Sequence, residues 1–588
     1  MAKRLVARSN EGDFNLDQSL HPVIEQIYLN RGVRDTAELD RSLQTLIPYH
    51  GIKDIDRCVA LLSQALEYQW RVVIVGDFDA DGATSTALSV LALREFGIND
   101  VHYLVPNRFE FGYGLSPEIA ALAVAKQPDL IITVDNGISS IEGVQYARSK
   151  GVRVLITDHH LPPQTLPEAD AIVNPNQQGC EFIGKALAGV GVMFYVLLAF
   201  RAHLRQRGIF KLLNRSEPNL AQYLDLVALG TVADVVPLDR LNRVLVHQGL
   251  ARIRQRQCRP GILALLEVAG RQPQRIVAGD LGFAIGPRLN AAGRLEDMSL
   301  GIACLLSNQP SEARQYAETL DNLNQDRRSI EQDMQNEAMA IMAKLDQSAL
   351  PYGITLFNGD WHQGVIGILA SRIKDRHHRP VVVFTADGVS TSAATSGDDE
   401  NESERLIKGS ARSVPGFHIR DGLEAIATQY PNMIKTFGGH AMAAGLTIVE
   451  AEFERFANAF DQQVQQHLSP QQLQGEIQTD GQLPVMDFTL QFAQLIRDSG
   501  PWGQAFPEPV FEGEFELIQQ RIVGQKHLKM VLRSDQSPYP EIDAIAFNVD
   551  LAQWPNEARQ VKLAFRLDVN EFRGRQDLQL MVEYLEPL

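Results

Sequence analysis

Residues 71–84 read RVVIVGDFDADGAT, a β-branched run ending in three aspartates at alternate positions, Asp77, Asp79 and Asp81. The apolar half has the composition of a strand buried on both faces. The acidic half has two readings. It is a solvated turn with an acidic helix N-cap, or it is a divalent-metal site, because carboxylates this close raise one another's pKa unless a cation sits among them.

Working outward, strand-like and helical segments alternate from about residue 70 to residue 175. The further strand candidates are VHYLVP (101–106), DLIITVD (129–135), RVLITD (153–158) and AIVNP (171–175), with helical spacing in SPEIAALAVAK (116–126) between them. Apolar strands alternating with helices predict an α/β domain whose parallel sheet is covered on both faces. Ligands of such sheets gather at the carboxyl ends of the strands. Asp77, Asp79 and Asp81, then Asp135, then Asp158, His159 and His160 all fall at those ends, and Asp234 in TVADVVPL (231–238) follows a helical stretch. Taken singly, Asp135 and Asp234 read as helix caps and the histidines as satisfied polar residues; their coincidence at one sheet edge favours a site. Asp79 and Asp81, two apart in an extended segment, point the same way. Carboxylates with imidazole and no thiolate suit Mn²⁺ or Mg²⁺. More ligands than one ion needs indicate a pair bridged by a carboxylate, about 3.5–4 Å apart.

The 588 residues predict three or four domains, and 45% hydrophobic with 22% charged residues is ordinary for a soluble globular chain. Four scattered cysteines (Cys58, Cys180, Cys258, Cys304) argue against a disulfide framework or a thiolate zinc site and fit a reducing cytosol. MAKRLVARSNEGDF (1–14) lacks the apolar core of a signal peptide, and ALAGVGVMFYVLLAF (186–200) is short for a membrane span, so it reads as a buried helix. The net charge of −17 argues mildly against nucleic acid, a weak argument where basic residues line one groove and carboxylates hold cations.

Further along, 311–345 carries no Pro or Gly and predicts one partly solvated connecting helix, roughly 50 Å long. A second α/β unit follows: GITLFNG (353–359), a helix near 364–375, PVVVFT (380–385) and a small-residue loop, FGGHAMAAG (437–445). TSGDDENESE (395–404) reads as an exposed loop and QQVQQHLSPQQLQGE (462–476) as a linker or turn. HLKMVLR (527–533), VKLAFRLDV (561–569) and LQLMVEY (578–584) alternate with period two and predict a small β-barrel.

GDFDADG, VDNG, TDHH and TVAD resemble the successive motifs of the DHH phosphoesterase superfamily, and WHQGVIGILASRI (361–373) with FGGHAMAAG resembles its DHHA1 domain. VPNRFEFGYGLS (105–116), IGPRLNAAGRL (285–295), KGSARSVPGF (408–417) and PWGQAFPEPVFEGEF (501–515) are similar to the bacterial single-strand-specific exonucleases within it. The resemblance leaves out an N-terminal segment (1–45). It implies a DHH catalytic domain (46–300), a long connecting helix (301–348), a DHHA1 domain (349–470) and a C-terminal OB fold (471–588), the DHH and DHHA1 domains flanking a cleft. By motif, Asp79, Asp81, Asp135, His159 and Asp234 would be ligands of two divalent cations, Mn²⁺ or Mg²⁺, with Asp135 bridging. His160 would contact the scissile phosphate, and Asp77 and Asp158 would support the ligands or join them occasionally. Some relatives carry a histidine at the position of Val75, so here one cation is short of a nitrogen ligand.

The resemblance also implies a cytoplasmic, bacterial, monomeric enzyme of DNA repair and recombination that hydrolyses single-stranded DNA from the 5′ end. Its implied partners are a single-strand-binding protein and a DNA helicase, with no membrane. A terminal phosphate then needs a holder, and arginine binds phosphate bidentately. The candidates are Arg108, Arg288, Asn290, Arg294, Ser410 and Arg412, with His440 gripping a following nucleotide. Each arginine reads equally well as a surface ion pair. On the barrel, Lys526, His527, Lys529, Arg533, Phe572, Arg573 and Arg575 could track a strand, as basic and aromatic residues do on OB folds. Two alternatives stay open: a phosphodiesterase of small or very short nucleotides, which has little need of the barrel, and a non-catalytic replication scaffold, which would have lost ligand residues.

Overall fold

Val72–Gly76 (β1) is buried throughout, and its alternate residues serve two different cores. Val72 and Ile74 join Leu130, Ile132, Leu88 and Val196 in one cluster, while Val73 and Val75 join Ile131, Val154, Ile119 and Val144 in another. That division follows from a period-two chain with helices on both sides. The parallel partners are Val101–Leu104 (β2), Leu130–Val134 (β3), Arg153–Thr157 (β4) and Ala171–Val173 (β5), in the order β2-β1-β3-β4-β5. All five strands expected from the sequence are present.

The computed structural model describes residues 3–9, 16, 19–106, 114–344, 350–387, 405–524, 526–533, 541–549, 554, 557–572 and 574–588. Arg108, Arg573 and the 395–404 segment lie outside them. The chain forms two compact units, one of Ala7–Asn324 with Thr479–Leu588 and the other of Met1–Val6 with Gln325–Gln478.

In the first unit, Ala80–Phe96 (α1) follows the acidic turn, and Gly189–Gln206 (α2) is the apolar helix expected over 186–200, buried along most of its length. Leu224–Ala233 (α3) ends at Asp234, and Gly286–Leu295 (α4) carries the GPRLNAAGR motif. The expected barrel is closed, from Phe511–Val523 (β11), His527–Arg533 (β12), Ile542–Ala546 (β13), Gln560–Phe572 (β14) and Arg575–Pro587 (β15), in the order β11-β12-β13-β15-β14. Alternate residues such as Leu528, Met530 and Leu532 fill its interior.

The N-terminal segment, which the sequence left without a role, is a clasp on the barrel's approach. The helix Pro22–Asn30 buries Ile24, Ile27 and Tyr28. Tyr28 Oη donates to the Ser499 carbonyl at 2.8 Å, and Arg31 bonds Asp480 at 2.8 Å with both side chains 1% exposed. The Arg31 guanidinium also lies over Trp502, which stacks on Phe506.

The helix Pro310–Met342 (α5) runs from the first unit into the second; it covers most of the 311–345 stretch, and a separate helix, Ser299–Leu306, precedes it. The second unit is built on Ile354–Phe357 (β6), Ile366–His377 (α6), Val381–Ala386 (β7), Leu406–Arg412 (β8), Ile434–Gly439 (β9) and Ala443–Val449 (β10), with sheet order β9-β10-β8-β7-β6. Here two sequence readings are corrected. FGGHAMAAG is not a loop: β9 and β10 pair through Gly438 with Gly445 and Gly439 with Ala444, and only 440–442 turn. Backbone ladders need no side chains, so a small-residue strand shows no hydrophobic alternation to read. Gly439 has φ +146°, and a Cβ there would lie 2.4 Å from the Ala443 carbonyl oxygen, a position only glycine fills. The other correction is 462–467, which completes the amphipathic helix Phe453–His467 instead of starting a linker.

Candidate active site

The acidic turn serves as an N-cap and brings carboxylates together at once. Asp79 caps α1, its Oδ1 accepting from the Asp81 and Gly82 amides at 3.0 Å each. That geometry turns Asp81 inward, where its oxygens accept from Gly189 N at 2.6 Å and Val190 N at 3.0 Å at the start of α2. Glycines open the space: a Cβ on Gly230 would lie 2.7 Å from Asp81 Oδ1, and one on Gly189 2.6 Å from Asp135 Cβ. Asp135 follows β3 in the left-handed region, φ +62°, and Val235, next to Asp234, has φ +62° as well. Non-glycine residues persist in that conformation where their surroundings fix it, often at functional sites.

These residues converge. Ligand atoms of Asp81, His159 and Asp234 lie within 4.8 Å of one another, as do those of Asp77, Asp79 and Asp135, and those of Asp135, His159 and His160. His159 Nε2 is 3.1 Å from Asp135 Oδ1 and 3.5 Å from Asp234 Oδ2. Burial raises the Asp135 and Asp234 carboxyls well above their ordinary values, and the charges of Asp81 and Asp79 add to it. Asp81 is pushed up to about 7, first by burial and then by Asp79, with the Val190 and Gly189 amides opposing. Carboxylates forced this close without a countercharge favour a bound cation. Oxygen donors with one imidazole nitrogen and no thiolate fit a hard divalent ion.

Asp158 and His160 form a separate pair. Burial alone would raise Asp158, but bonds from the His160 ring and the His160 and Ile138 amides hold its carboxyl below the ordinary range. Burial alone would lower His160, yet the hydrogen bond and charge of Asp158, with Asp77 and Asp79 adding theirs, raise it. His160 is thereby shifted toward the imidazolium form relative to an ordinary histidine.

Several positioning groups escaped the sequence reading. Asn174 Nδ2 donates to the His160 carbonyl at 2.9 Å and Asn176 Nδ2 to the His159 carbonyl at 2.6 Å, gripping the histidine pair from the loop after β5. Asn136 Nδ2 ties the Val75 and Val134 carbonyls together beside Asp135. The Asn-Pro-Asn of 174–176 was the available signal, a turn marker directly after a strand.

The DNA-contact candidates scatter more. Asn290 Oδ1 accepts from Ala80 N at 2.8 Å, and a Cβ on Gly293 would lie 1.9 Å from the Phe78 carbonyl oxygen, so α4, with Arg294, sits directly on the acidic turn. Arg288 is buried, with its guanidinium bonding Asp321 at 2.7–2.8 Å and the Ala284 carbonyl at 2.6 Å. In the other unit, Ser410 and Arg412 share the more open face of β8, Arg412 Nη1 lying 3.1 Å from Ser410 Oγ. A Cβ on Gly367 would lie 2.9 Å from Arg412 Nη2 and 3.0 Å from Ser410 Oγ, which sets the first turn of α6 against both. His440 is exposed in the turn between β9 and β10. On the barrel, Lys529 pairs with Asp543 at 2.8 Å and Arg533 with Glu516 at 3.4 Å, His527 packs edge-on against Phe547, and Lys526 and Arg575 are exposed.

Comparison with known proteins agrees with this architecture. Residues 71–231 match the DHH family N-terminal domain, 346–466 the DHHA1 domain and 479–584 the RecJ OB domain. The chain is 52% identical over 593 residues to the single-stranded-DNA-specific exonuclease RecJ of Escherichia coli, covering 100% of both chains. It is similar to the crystal structure of RecJ with Mn²⁺ from Thermus thermophilus, at TM-score 0.77 and 28% identity over 97% of this chain and 76% of that one. The Mg²⁺ complex of the Thermus protein gives TM-score 0.72 at 27% identity, over 97% and 75%.

Proposed function

The chain belongs to the RecJ family of single-stranded-DNA-specific exonucleases, and from that premise we propose how its residues divide the work of cutting a strand. The protein is a metal-dependent exonuclease acting on single-stranded DNA. The observation that carries the division of labour is the convergence of Asp77, Asp79, Asp81, Asp135, His159 and Asp234 at one edge of a parallel sheet. Asp79, Asp81, Asp135, His159 and Asp234 would hold two divalent cations, Mn²⁺ or Mg²⁺, with Asp135 common to two of the ligand groups and Asp77 supporting. Bound there, such ions supply charge neutralisation and the activation of a water for attack on phosphorus.

The chain's own residues do the rest. Asp158 orients the His160 ring and shifts it toward the imidazolium form, which would donate to a phosphoryl oxygen as negative charge builds there. Asn174 and Asn176 fix the backbone of the histidine pair, and Asn290 fixes the turn that carries Asp79. Ser410 and Arg412, set against Gly367 in the first turn of α6, form a phosphate-binding pair, since a guanidinium fork and a hydroxyl both bond phosphate oxygens. In the second unit these two and His440 read the 5′ end, giving 5′→3′ degradation, and in the first unit Arg294 binds strand phosphate beside the acidic turn. The Arg288 ion pair supports a positioning role for that residue rather than direct phosphate contact.

The barrel contributes Lys526, Lys529 and Arg533 to the strand's path. A single-strand-binding protein and a helicase supply the substrate, and repair and recombination are the setting. The protein acts as a monomer; cytoplasmic action is consistent with four free cysteines, and no helix among the described residues is long and apolar enough to cross a membrane.

The test is digestion of oligonucleotides labelled at either end with Mn²⁺, Mg²⁺ or EDTA. Release of the 5′ label first, abolished by EDTA and by Asp135→Ala while strand binding survives, supports the reading. Near-normal turnover by Asp135→Ala refutes the two-cation assignment.

A further inference from the structure

Phe283 is 83% exposed, more than any other large hydrophobic side chain among the described residues. A single exposed apolar residue is ordinary, but the setting of this one is not. It lies on a π-helical turn, Leu281–Ile285, that leads directly into α4. Such turns are rare and concentrate at functional sites. Two glycines seat this turn on the end of α3: a Cβ on Gly282 would lie 3.2 Å from Val232 Cγ1, and one on Gly286 3.3 Å from Ala233 Cβ. Val232 and Ala233 immediately precede Asp234, so the backbone carrying Phe283 is fixed against the backbone that places a site carboxylate.

The rest of the segment reaches the acidic turn. Phe283 precedes Asn290 by seven residues on one continuous helical segment, the π turn running straight into α4. Asn290 faces the acidic turn, bonding Ala80 N. Arg294 is one turn further along that side, about 6 Å beyond Asn290. An exposed aromatic ring and a guanidinium are therefore carried at the two ends of one helical segment whose backbone packs beside Asp234 and on the acidic turn. An aromatic ring that contacts no protein core and carries no charge takes one partner well in a strand-degrading site, the face of a nucleobase. Base–aromatic stacking is indifferent to sequence, as a non-specific exonuclease requires.

We propose that Phe283 is a stacking platform for a base of the bound single strand, on the turn seated against the helix end that places Asp234. The proposal rests on the exonuclease reading above. It assigns to Phe283 the task of holding the strand in register as nucleotides are removed one by one.

The experiment uses the full-length protein with Mn²⁺ and strands bearing one abasic nucleotide at successive positions from the 5′ end. Wild-type protein is expected to show a raised KM for an abasic gap at one particular position. Phe283→Ala is expected to raise KM for intact strands about 5- to 150-fold and to be indifferent to the gap at that position. Phe283→Trp should restore both behaviours, whereas Phe283→Leu, which keeps apolar bulk without the ring, should not. The side chain is exposed, so folding is preserved, and an unchanged melting temperature checks it. Failure of wild-type protein to degrade strands would remove the exonuclease reading itself. A wild type that degrades strands, with Phe283→Ala showing an unchanged KM or the same abasic profile, overturns the stacking assignment alone.

Discussion

Replacing Asp234 by Asn should make the metal-free protein more stable and the metal-loaded protein less so. Ligand atoms of Asp234, Asp81 and His159 lie within 4.8 Å of one another. Two carboxylate charges at that separation repel by about 3 kcal/mol at an effective dielectric constant near 20. Proton uptake relieves part of this, since Asp234 is raised well above its ordinary value by burial and then by Asp81 and Asp79. Asn keeps the shape and removes the charge, losing only the 3.5 Å approach to His159. A gain of about 1–3 kcal/mol, or several degrees in melting temperature, is expected for the metal-free variant. Against this, Mn²⁺ at a hundredfold excess over Kd stabilises wild type by about 2.7 kcal/mol, and loss of a ligand should largely abolish that increment.

The same cluster sets a pH dependence. Asp81 stands at about 7 in the folded protein against an ordinary 3.8, so the folded state holds protons that the unfolded chain has released. Stability of the metal-free wild type therefore falls as pH rises from about 4 to about 7, and the raised Asp135 and Asp234 carboxyls act in the same direction. A displacement of this size is worth about 4 kcal/mol at most. The Mn²⁺ increment should grow across the same window, because only the ionised carboxylates bind. Differential scanning fluorimetry between pH 5 and 8, with EDTA or Mn²⁺, reads all of this. A metal-free Asp234→Asn protein that melts below wild type, or that gains as much from Mn²⁺, refutes the reasoning.

Arg412→Ala should raise KM about tenfold or more for 5′-phosphorylated strands and much less for 5′-hydroxyl ends, as loss of a charge-assisted bond predicts; equal losses on both ends would show that it does not read the terminal phosphate. Lys526→Ala with Lys529→Ala should flatten the logarithmic salt dependence of strand binding by about 1.4, at roughly 0.7 per phosphate contact. An unchanged slope would mean that this barrel face stays off the strand. Asp480→Ala leaves Arg31 buried without its partner and should destabilise the protein by about 3–5 kcal/mol, measured by denaturant unfolding; a change under about 1 kcal/mol would show that the clasp does not hold.

What the sequence disclosed follows from how each element is built. The parallel strands are apolar runs ended by charge, so Asp77, Asp79, Asp81, Asp135, Asp158, His159 and His160 could be placed at the carboxyl edge before any coordinates. Elements held by backbone alone left no such mark, as in the glycine-rich pair β9 and β10. Groups that act through one carbonyl, such as Asn136, Asn174 and Asn176, carry no periodic signature either. Arg288 was legible as a residue but not in its partner: Asp321 is 33 positions away, on another helix. Phe283 reads in sequence as one more core aromatic, and only its exposure separates it.

The clasp has a consequence in time. Arg31 and Asp480 are 449 residues apart in sequence, and the unit they close is interrupted by the whole of Gln325–Gln478. At roughly 5–20 residues per second of synthesis, the first helix waits about 20–90 s for the partner that covers it. Throughout that interval the nascent chain carries Tyr28 without Ser499, Trp502 and Phe506, the groups that pack on it. The emerging polypeptide is thus most vulnerable to aggregation at its oldest end, and that end is where a holding chaperone would have the longest window to act.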